Sequence, residues 1–534
     1  LKQKGIQAAA IYSGQARSEI IKILENAIFG AVKLLYVSPE RLASDIFLVK
    51  LKHMKVSFIT VDEAHCISQW GYDFRPSYLQ IAEIRRVKPD APVLALTATA
   101  TRRVMDDIME RLQFREKKVF RMSFKRDNLA YVVREALDKY AELLHILKSV
   151  EGSAIIYTRS RRRSKVVSEW LEQQGVSATF YHAGLEPAIK DERQKLWQTD
   201  KKRVMAATNA FGMGIDKPNV RLVIHLDCPD SVEAYFQEAG RAGRDGKKAY
   251  AILLWNGHDH AVLAKRIKTT FPSKEIVRDV YDHLAYFFQV GLGSGNGHTF
   301  TFNIDQFCYI YHFYPLYVNS ALHILQSAGY IEYETDPDAR ARLRFLLGRD
   351  ELYKLYETTP NEEAVISALL RNYSGLFSDY RYVEEALISQ VSGLSQNEVY
   401  LILKSLSHRR ILHFIPQRKT PFITYTQDRI DGCDVVIPAS VYDQRKEQFI
   451  KHVNAIEAYA TNNHVCRSRQ LLRYFDETKS EDCGICDVCV DHQPNPNAEQ
   501  EFKDAKQAIL DLLADHKPHD IKETSELLLP RKAF

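Results

Sequence analysis

The chain has 534 residues, is 45% hydrophobic and 26% charged, and carries a net charge of +5. That length holds three or four domains, and the composition is that of a soluble multidomain protein rather than a fibrous or disordered one. No run of about 18 apolar residues occurs, so a helical membrane span is excluded, and the slight basic excess does not by itself argue for nucleic acid. Eight cysteines are present, Cys66, Cys228, Cys308 and Cys433 scattered and four grouped late, which suits a reducing compartment and a metal site. The first residue, Leu1, falls inside a pattern that already reads as helix-turn-strand. No signal peptide is legible, and a missing N-terminus is expected.

Residues 1–120 alternate apolar runs with helical patterns. Val32–Val37, Val56–Val61 and Val93–Leu96 are expected strands, and Arg17–Ile28 and Arg102–Leu112 expected amphipathic helices. This alternation predicts a parallel α/β sheet covered on both faces. The second strand ends in two carboxylates, Asp62 and Glu63, followed by His65. A carboxylate at that end of a parallel strand can hold Mg²⁺ through its water shell. A second one beside it can position and deprotonate a water. Trp70, Tyr72, Phe74 and Arg75 then interleave aromatic rings with a guanidinium, the pattern of a nucleic-acid contact loop. Polar segments S-P-E-R (from Ser38) and T-A-T-A (with Thr97 and Thr99) follow the other strands. Helix capping by Ser38 and Thr101 explains either segment taken alone.

Residues 121–260 repeat the rhythm. Expected strands are Ser153–Tyr157, Thr179–Tyr181, Val204–Ala207, Leu222–Leu226 and Tyr250–Leu254, with helices near Arg163–Gln174, Ile189–Thr199 and Val232–Arg241. The stretch A-T-N-A-F-G-M-G-I-D-K-P contains Gly214 and Asp216, and Q-E-A-G-R-A-G-R-D-G contains Gln237, Arg241 and Arg244. Glycines let backbone amides approach a phosphate closely. Two arginines three residues apart share a helix face and can reach an opposing lobe as an arginine finger, or simply form a solvated basic helix end. His182, in Y-H-A-G-L, reads equally as a nucleic-acid contact or a packing residue.

Beyond Asn256 the pattern becomes helices with paired short strands. Two segments share one order, helices then a hairpin: Tyr330–Glu334 with Leu343–Leu346, and Ile411–Ile415 with Phe422–Tyr425. Helix then hairpin is the order of a winged helix. The basic cluster His408–Arg410, with Arg418 and Lys419, tilts the second unit towards DNA. Cys466 and, after sixteen intervening residues, C-G-I-C-D-V-C (Cys483, Cys486, Cys489) can enclose Zn²⁺ tetrahedrally. With no open position, such a site is structural; the rival, a redox C-x-x-C pair, leaves the other two thiols unexplained.

D-E-A-H flanked by S-P-E-R and T-A-T, extended by C-I-S-Q-W-G-Y-D-F-R-P-S-Y, and followed by Q-E-A-G-R-A-G-R-D-G and the four cysteines with R-S-R-Q-L-L-R-Y-F between them, closely resembles the RecQ family of superfamily 2 DNA helicases. The resemblance implies an α/β fold of two RecA-like parallel-sheet motor lobes, followed by winged-helix-like units and a small zinc module. It divides the chain into lobes at 1–120 and 121–260, winged units at 261–358 and 359–430, a zinc module at 431–492, a linker at 493–500 and a helical unit from 501 to 534. By the same resemblance ATP, Mg²⁺ and Zn²⁺ are cofactors, Asp62 holds Mg²⁺, Glu63 activates water, His65 relays between lobes, and Arg241 and Arg244 face the phosphates. Gln237, Gly214 and Asp216 would bind nucleotide or couple the lobes. Trp70, Phe74, Arg75, Thr97, Thr99 and His182 would contact DNA.

The implied activity is ATP-driven translocation on single-stranded DNA and duplex unwinding in repair and recombination. Partners would be single-stranded and duplex DNA, with single-strand binding protein or repair factors, in the cytoplasm or on the nucleoid, and with no membrane. Two departures stand out. No glycine-rich phosphate loop ending in G-K-S or G-K-T is present, so this segment alone is expected not to hydrolyse ATP efficiently. About 200 residues also separate the second lobe from the cysteines, where the family has few. The rivals are a DNA-binding or remodelling module without a working motor, and an RNA helicase.

Overall fold

A computed structural model describes residues 1–514 and 519, apart from 2–4, 13–14, 16, 43, 69–70, 72, 213–214, 335–340, 353–357, 374–375, 378–380, 417–420 and 493–497. The chain divides into two compact units, one of residues 1–263 with 448–534, the other of residues 264–447. Among the described residues no helix is long and apolar enough to cross a membrane.

In the first unit, strands β1 (Ala8–Ile11) and β2 (Leu34–Val37) pair in parallel, as do β3 (Ile59–Val61) and β4 (Val93–Ala95). Helices Arg17–Ile28 and Arg102–Arg111 lay Ile20, Leu24, Val104 and Ile108 into a core with Ile67 and Leu112. These residues recur at three- and four-residue spacing, which places them on one helix face.

The second lobe is a six-stranded, wholly parallel sheet in the order β5-β10-β9-β6-β8-β7. Its strands are β5 (Leu129–Glu135), β6 (Ser153–Tyr157), β7 (Ala178–Tyr181), β8 (Val204–Ala207), β9 (Val220–His225) and β10 (Ala249–Trp255). Every residue of β6 and β8 is buried, as central strands covered on both faces require. The sequence reading has no strand before Ser153, yet Leu129–Glu135 forms the edge beside β10. The module of the four cysteines belongs to this same unit. Helix Ala498–Leu513 begins inside the stretch read as a linker; residues 493–497, and most of those after 514, lie outside the described ones.

The second unit holds two winged helices, each with a three-stranded sheet and three longer helices among the described residues, the second with a further short helix at Arg349–Leu352. The first has helices Lys274–Phe288, Ile304–Tyr311 and Pro315–Ser327, and the second has Pro360–Asn372, Glu385–Ser392 and Gln396–His408. Their sheets depart from the sequence reading. Neither expected hairpin forms. Strand β12 (Ile331–Glu334) pairs with β16 (Phe422–Tyr425), in the order β11-β16-β12 with β11 (Thr299–Thr301). Strand β13 (Arg342–Phe345) pairs instead with β14 (Arg381–Tyr382) and β15 (Leu412–Ile415).

The two winged helices have thus exchanged third strands. A boundary at 358 puts β13 in the first unit and β16 in the second; each packs in the other one. Burial gives the reason. All four residues of β16 are buried, as suits a central strand, and Ile423 and Tyr425 fill the core of the first winged helix. Leu343 and Phe345 of β13 fill the separate core of the second.

The seam of this exchange is held by polar bonds. Thr299 Oγ1 lies 2.8 Å from both His413 Nε2 and Thr424 Oγ1. Burial first, then the charges of Arg344 and Arg342, push the His413 ring down to about 4. The unfolded chain takes up this proton near the ordinary value of about 6.5, and the folded chain refuses it until about 4. Stability therefore falls as pH drops from about 6.5 towards 4, by at most ~3 kcal/mol from this group. Denaturant unfolding across that window should lose less stability in His413→Asn than in the unaltered protein; parallel losses would assign the acid sensitivity elsewhere.

Candidate active cleft and metal centre

Strand β3 delivers Asp62 and Glu63 to the edge of the first lobe. Asp62 is exposed, and its Oδ1 accepts the Glu63 N–H at 2.9 Å. Glu63 sits at φ +47°, a left-handed conformation that costs a non-glycine residue on the order of 1 kcal/mol. The chain then reverses into the short buried helix Ala64–Ile67. Burial, reinforced by the charge of Asp62, raises the Glu63 pKa, while Arg241 and Arg75 oppose the rise. A carboxylate so placed is a better base than an exposed one. His65 is buried, and burial holds its ring down at about 4, so it is neutral near pH 7. It bonds Thr97 Oγ1 at 3.1 Å and lies 3.4 Å from Glu63 Oε2. Thr99 is buried with its hydroxyl unpartnered.

The second lobe closes on this edge through helix Val232–Ala239, capped by Ser231. Gln237 Nε2 donates to Glu63 Oε1 at 3.2 Å, a hydrogen bond across the cleft. Arg241 donates one N–H to the Gly212 carbonyl, and its buried Nε has no partner among the described residues. A side chain at Gly212 would collide with that guanidinium, which explains the glycine. Arg244 is turned back onto the Ile215 carbonyl at 2.7 Å, with Asp216 at 3.5 Å. Glu63, Thr97, Asp216, Gln237, Arg241 and Arg244 all line one cleft of about 1150 Å³.

Two further residues position this arginine segment, and no motif points to them. Arg126 donates to the carbonyls of Ala242 and Gly243, both at 3.0 Å. Asn128 Nδ2 donates to Gly243 at 2.7 Å and Lys247 at 2.9 Å. Gly243 has φ +61°, and a Cβ there would press on Asn128 and Ala249. Only the cluster of carbonyls, invisible in sequence, identifies Arg126 and Asn128.

Of the expected DNA contacts, Trp70 lies outside the described residues, as do Tyr72 and the nucleotide candidate Gly214. Arg75 is clamped by Asp73 Oδ2 at 2.7 and 3.1 Å, and Phe74 is half-buried. His182 belongs to a separate cationic cluster on the second lobe. It stacks on Phe180, whose face carries the Arg193 guanidinium at 3.7 Å. Burial, then the charges of Arg161, Arg193 and Lys190, lower its pKa.

The four late cysteines converge. The Sγ atoms of Cys466, Cys483, Cys486 and Cys489 all lie within 4.8 Å of one another. Cys466 and Cys486 are 3.9 Å apart and Cys483 and Cys489 4.0 Å, close to the ~3.8 Å edge of a tetrahedron with Zn–S bonds of about 2.3 Å. Backbone N–H groups of Arg467, Cys483, Cys486 and Cys489 donate to these sulfurs at 3.2–3.4 Å, which stabilises thiolates. The donor set fits a structural zinc ion, whose binding energy would be folding energy.

Helix Arg467–Tyr474 fastens this module to the rest of the unit. The Arg467 guanidinium is buried and donates to Asp487, to the Tyr459 and Asn462 carbonyls and to Asn463. Asp487 in turn accepts the Val133 N–H of edge strand β5 at 3.1 Å. On the second lobe's helix, buried Glu233 accepts from Tyr474 at 2.8 Å and pairs with His452 at 3.2 Å. These bonds outweigh burial and keep the Glu233 pKa low. Past the helix, Asp476 accepts the Arg102 N–H of the first lobe at 2.9 Å. Glu477 accepts from Ser123 and Phe124, both at 2.7 Å, in the stretch joining the lobes.

Purified protein should contain about one zinc per chain, and a chelator should lower its unfolding temperature; metal content near zero would remove the site. Arg467→Met should cost about 3 kcal/mol, because it leaves the partly buried Asp487 carboxylate and the Tyr459 and Asn462 carbonyls without their charged donor, yet leave zinc stoichiometry intact. A cost below about 1 kcal/mol would mean the pair does not fasten the module.

Four protein-family models match the chain: DEAD/DEAH box helicase at residues 1–108, helicase conserved C-terminal domain at 137–246, the RecQ helicase winged-helix domain of Bacteroidota at 343–416, and RecQ zinc-binding at 426–490. The winged-helix match falls on the second winged helix, from β13 to β15. The chain is 42% identical over 279 residues to the ATP-dependent DNA helicase RecQ of Pasteurella multocida, covering 52% of this chain and 44% of that protein. It is 42% identical over 262 residues to RecQ of Bacillus subtilis, covering 48% and 44%, and 41% identical over 281 residues to the RecQ-like DNA helicase blm-1 of Caenorhabditis elegans, covering 50% and 28%. The chain thus spans less than half the length of these relatives. With lobes, winged helix and cysteine module all matched in order, the chain belongs to the RecQ family of superfamily 2 helicases.

Proposed function

We propose that this protein is an ATP-dependent DNA helicase, coupling ATP hydrolysis to movement along single-stranded DNA and to duplex separation in repair and recombination. The observation that carries this reading is the hydrogen bond from Gln237 to Glu63 across the cleft, beside the partly unsatisfied Arg241. A base on one lobe and a guanidinium on the other make hydrolysis depend on lobe closure, the coupling a motor needs. Asp62, exposed at its strand end, suits a hydrated Mg²⁺, which would neutralise charge on the phosphates. Glu63, its pKa raised by burial, takes the proton from the attacking water. Neutral His65 orients Glu63 and ties it to Thr97, so that the T-A-T segment feels changes at the carboxylates. Arg241 is the better finger; Arg244 braces the loop that holds Asp216.

For the strand, Phe74, Arg75 and the cluster around His182 supply aromatic and cationic contacts on the two lobes. Working on DNA implies the cytoplasm and, in a bacterium, the nucleoid, with single-strand binding protein and repair factors as partners.

The gene upstream of Leu1 is the first test: a G-K-S or G-K-T segment within about 100 residues supports the motor, and its absence favours a DNA-binding module without one. In protein carrying that segment, Glu63→Gln should retain DNA binding and lose ATP turnover by about a thousandfold. Gln237→Ala should reduce stimulation of turnover by DNA more than basal turnover. Normal turnover in Glu63→Gln would end the role given to this carboxylate.

A further inference from the structure

The seam between the two winged helices carries a crevice that the motor reading leaves unused. Because the third strands are exchanged, helix Gln396–His408 of the second winged helix faces β11 of the first across a cavity of about 300 Å³. The bonds of Thr299 to His413 and Thr424 fix the two walls, so the crevice is formed in advance. Its walls carry His298, Lys404 and His408 together with Phe300 and Tyr400, and none of the described residues lining it is a carboxylate. Lys404 and His408 are both exposed and stand four residues apart, on one face of the helix. Arg410 adds to the positive field: after burial, its charge and that of His408 lower the proton affinity of His298, against Asp428 alone.

An ammonium and two imidazoles at a concave mouth with aromatic rings inside it match the chemistry of a nucleic-acid strand, the lysine charge and the imidazole N–H groups for phosphate and the rings for a base. A paired base keeps its faces stacked within the helix, so an aromatic wall serves an unpaired one. The cavity is also too small for a duplex, whose grooves accept protein elements rather than entering them.

We propose that this crevice binds one single DNA strand, a phosphate among Lys404, His408 and His298 and a base against Phe300 and Tyr400. It rests on the reading that the protein acts on DNA, and adds a strand contact remote in sequence from both lobes. The exchange of strands creates it, since neither winged helix supplies both walls.

Fluorescence anisotropy with a labelled oligothymidylate and with a blunt duplex, over a range of salt, tests the proposal on the whole chain. Lys404→Glu/His408→Glu should weaken single-strand binding about tenfold and flatten the salt dependence by at least about 0.7 in log–log slope, the worth of the lysine's phosphate contact. Tyr400→Ala should weaken it about fivefold with the slope unchanged. Duplex affinity should stay within about twofold in each variant, and Lys404→Arg should bind as the unaltered protein does, which checks the fold. If the unaltered chain binds the single strand and the variants match it in affinity and slope, the crevice is refuted and the helicase reading stands. Equal losses on the duplex also overturn the proposal, because they assign the crevice to double-stranded DNA. Failure of the unaltered chain to bind either DNA overturns both readings.

Discussion

The buried guanidinium of Arg467 is the link through which the cysteine module is tied into the first unit. Its donors are spent on Asp487 and on three groups of the turn between helices. A buried cation left with spare donors would be costly, so this site admits one arrangement of the surrounding chain. Asp487 passes that constraint to the edge of the second lobe, and the residues after the same helix pass it to the first lobe and to the stretch between the lobes. The thiol cage therefore stands at one end of a continuous polar chain that reaches the lobes themselves.

The two lobes are joined unequally as a result. The stretch joining the lobes is fastened to the cysteine module by Glu477 and by the packed rings of Phe124, Phe236 and Phe475, whose centroids lie 4.9–5.7 Å apart, and the first lobe is tied to the same module through Asp476. At the mouth, Gln237 and Glu63 contribute one hydrogen bond, with a net worth of about 1–3 kcal/mol. Glu63 gathers three constraints at this light contact: a left-handed backbone, a carboxylate raised by burial and a partner on the opposite lobe. Strain of that kind persists only where the surrounding structure over-determines it.

Much of this site was legible in sequence because its parts are local. Asp62, Glu63 and His65 follow a single strand, and Gln237, Arg241 and Arg244 a single helix, so spacing alone gives their order. Spacing could not separate Arg241 from Arg244; the helix expected to carry them ends at Ala239, both lie in the turns beyond it, and only the carbonyls of Gly212 and Ile215 distinguish them. Strand β5 is hidden because residues 112–128, with no helical pattern, separate it from helix Arg102–Arg111 and break the α/β rhythm. The strand exchange was illegible for a deeper reason. Helix then two strands is the same string whether the strands pair with each other or with distant partners, and local alternation carries no information about which. Arg126 and Asn128 act on backbone carbonyls more than 100 residues away, a relation that no residue-type pattern encodes.

The exchanged strands also fix the order in which this part of the chain can assemble. Closing the first sheet brings Glu334 against Phe422, with residues 335–421 between them. Were that stretch still unfolded, loop closure would cost on the order of 4 kcal/mol. Within the intervening domain, however, Arg342 already pairs with Ile415, so once it has folded its two ends lie side by side and the remaining gaps are short. The ion pair of Arg342 with Glu334 then meets across the junction. Folding thus proceeds from the inside outwards, the inner domain serving as a preformed clasp for the outer one. On a ribosome the first winged helix must wait, its third strand being the last to emerge.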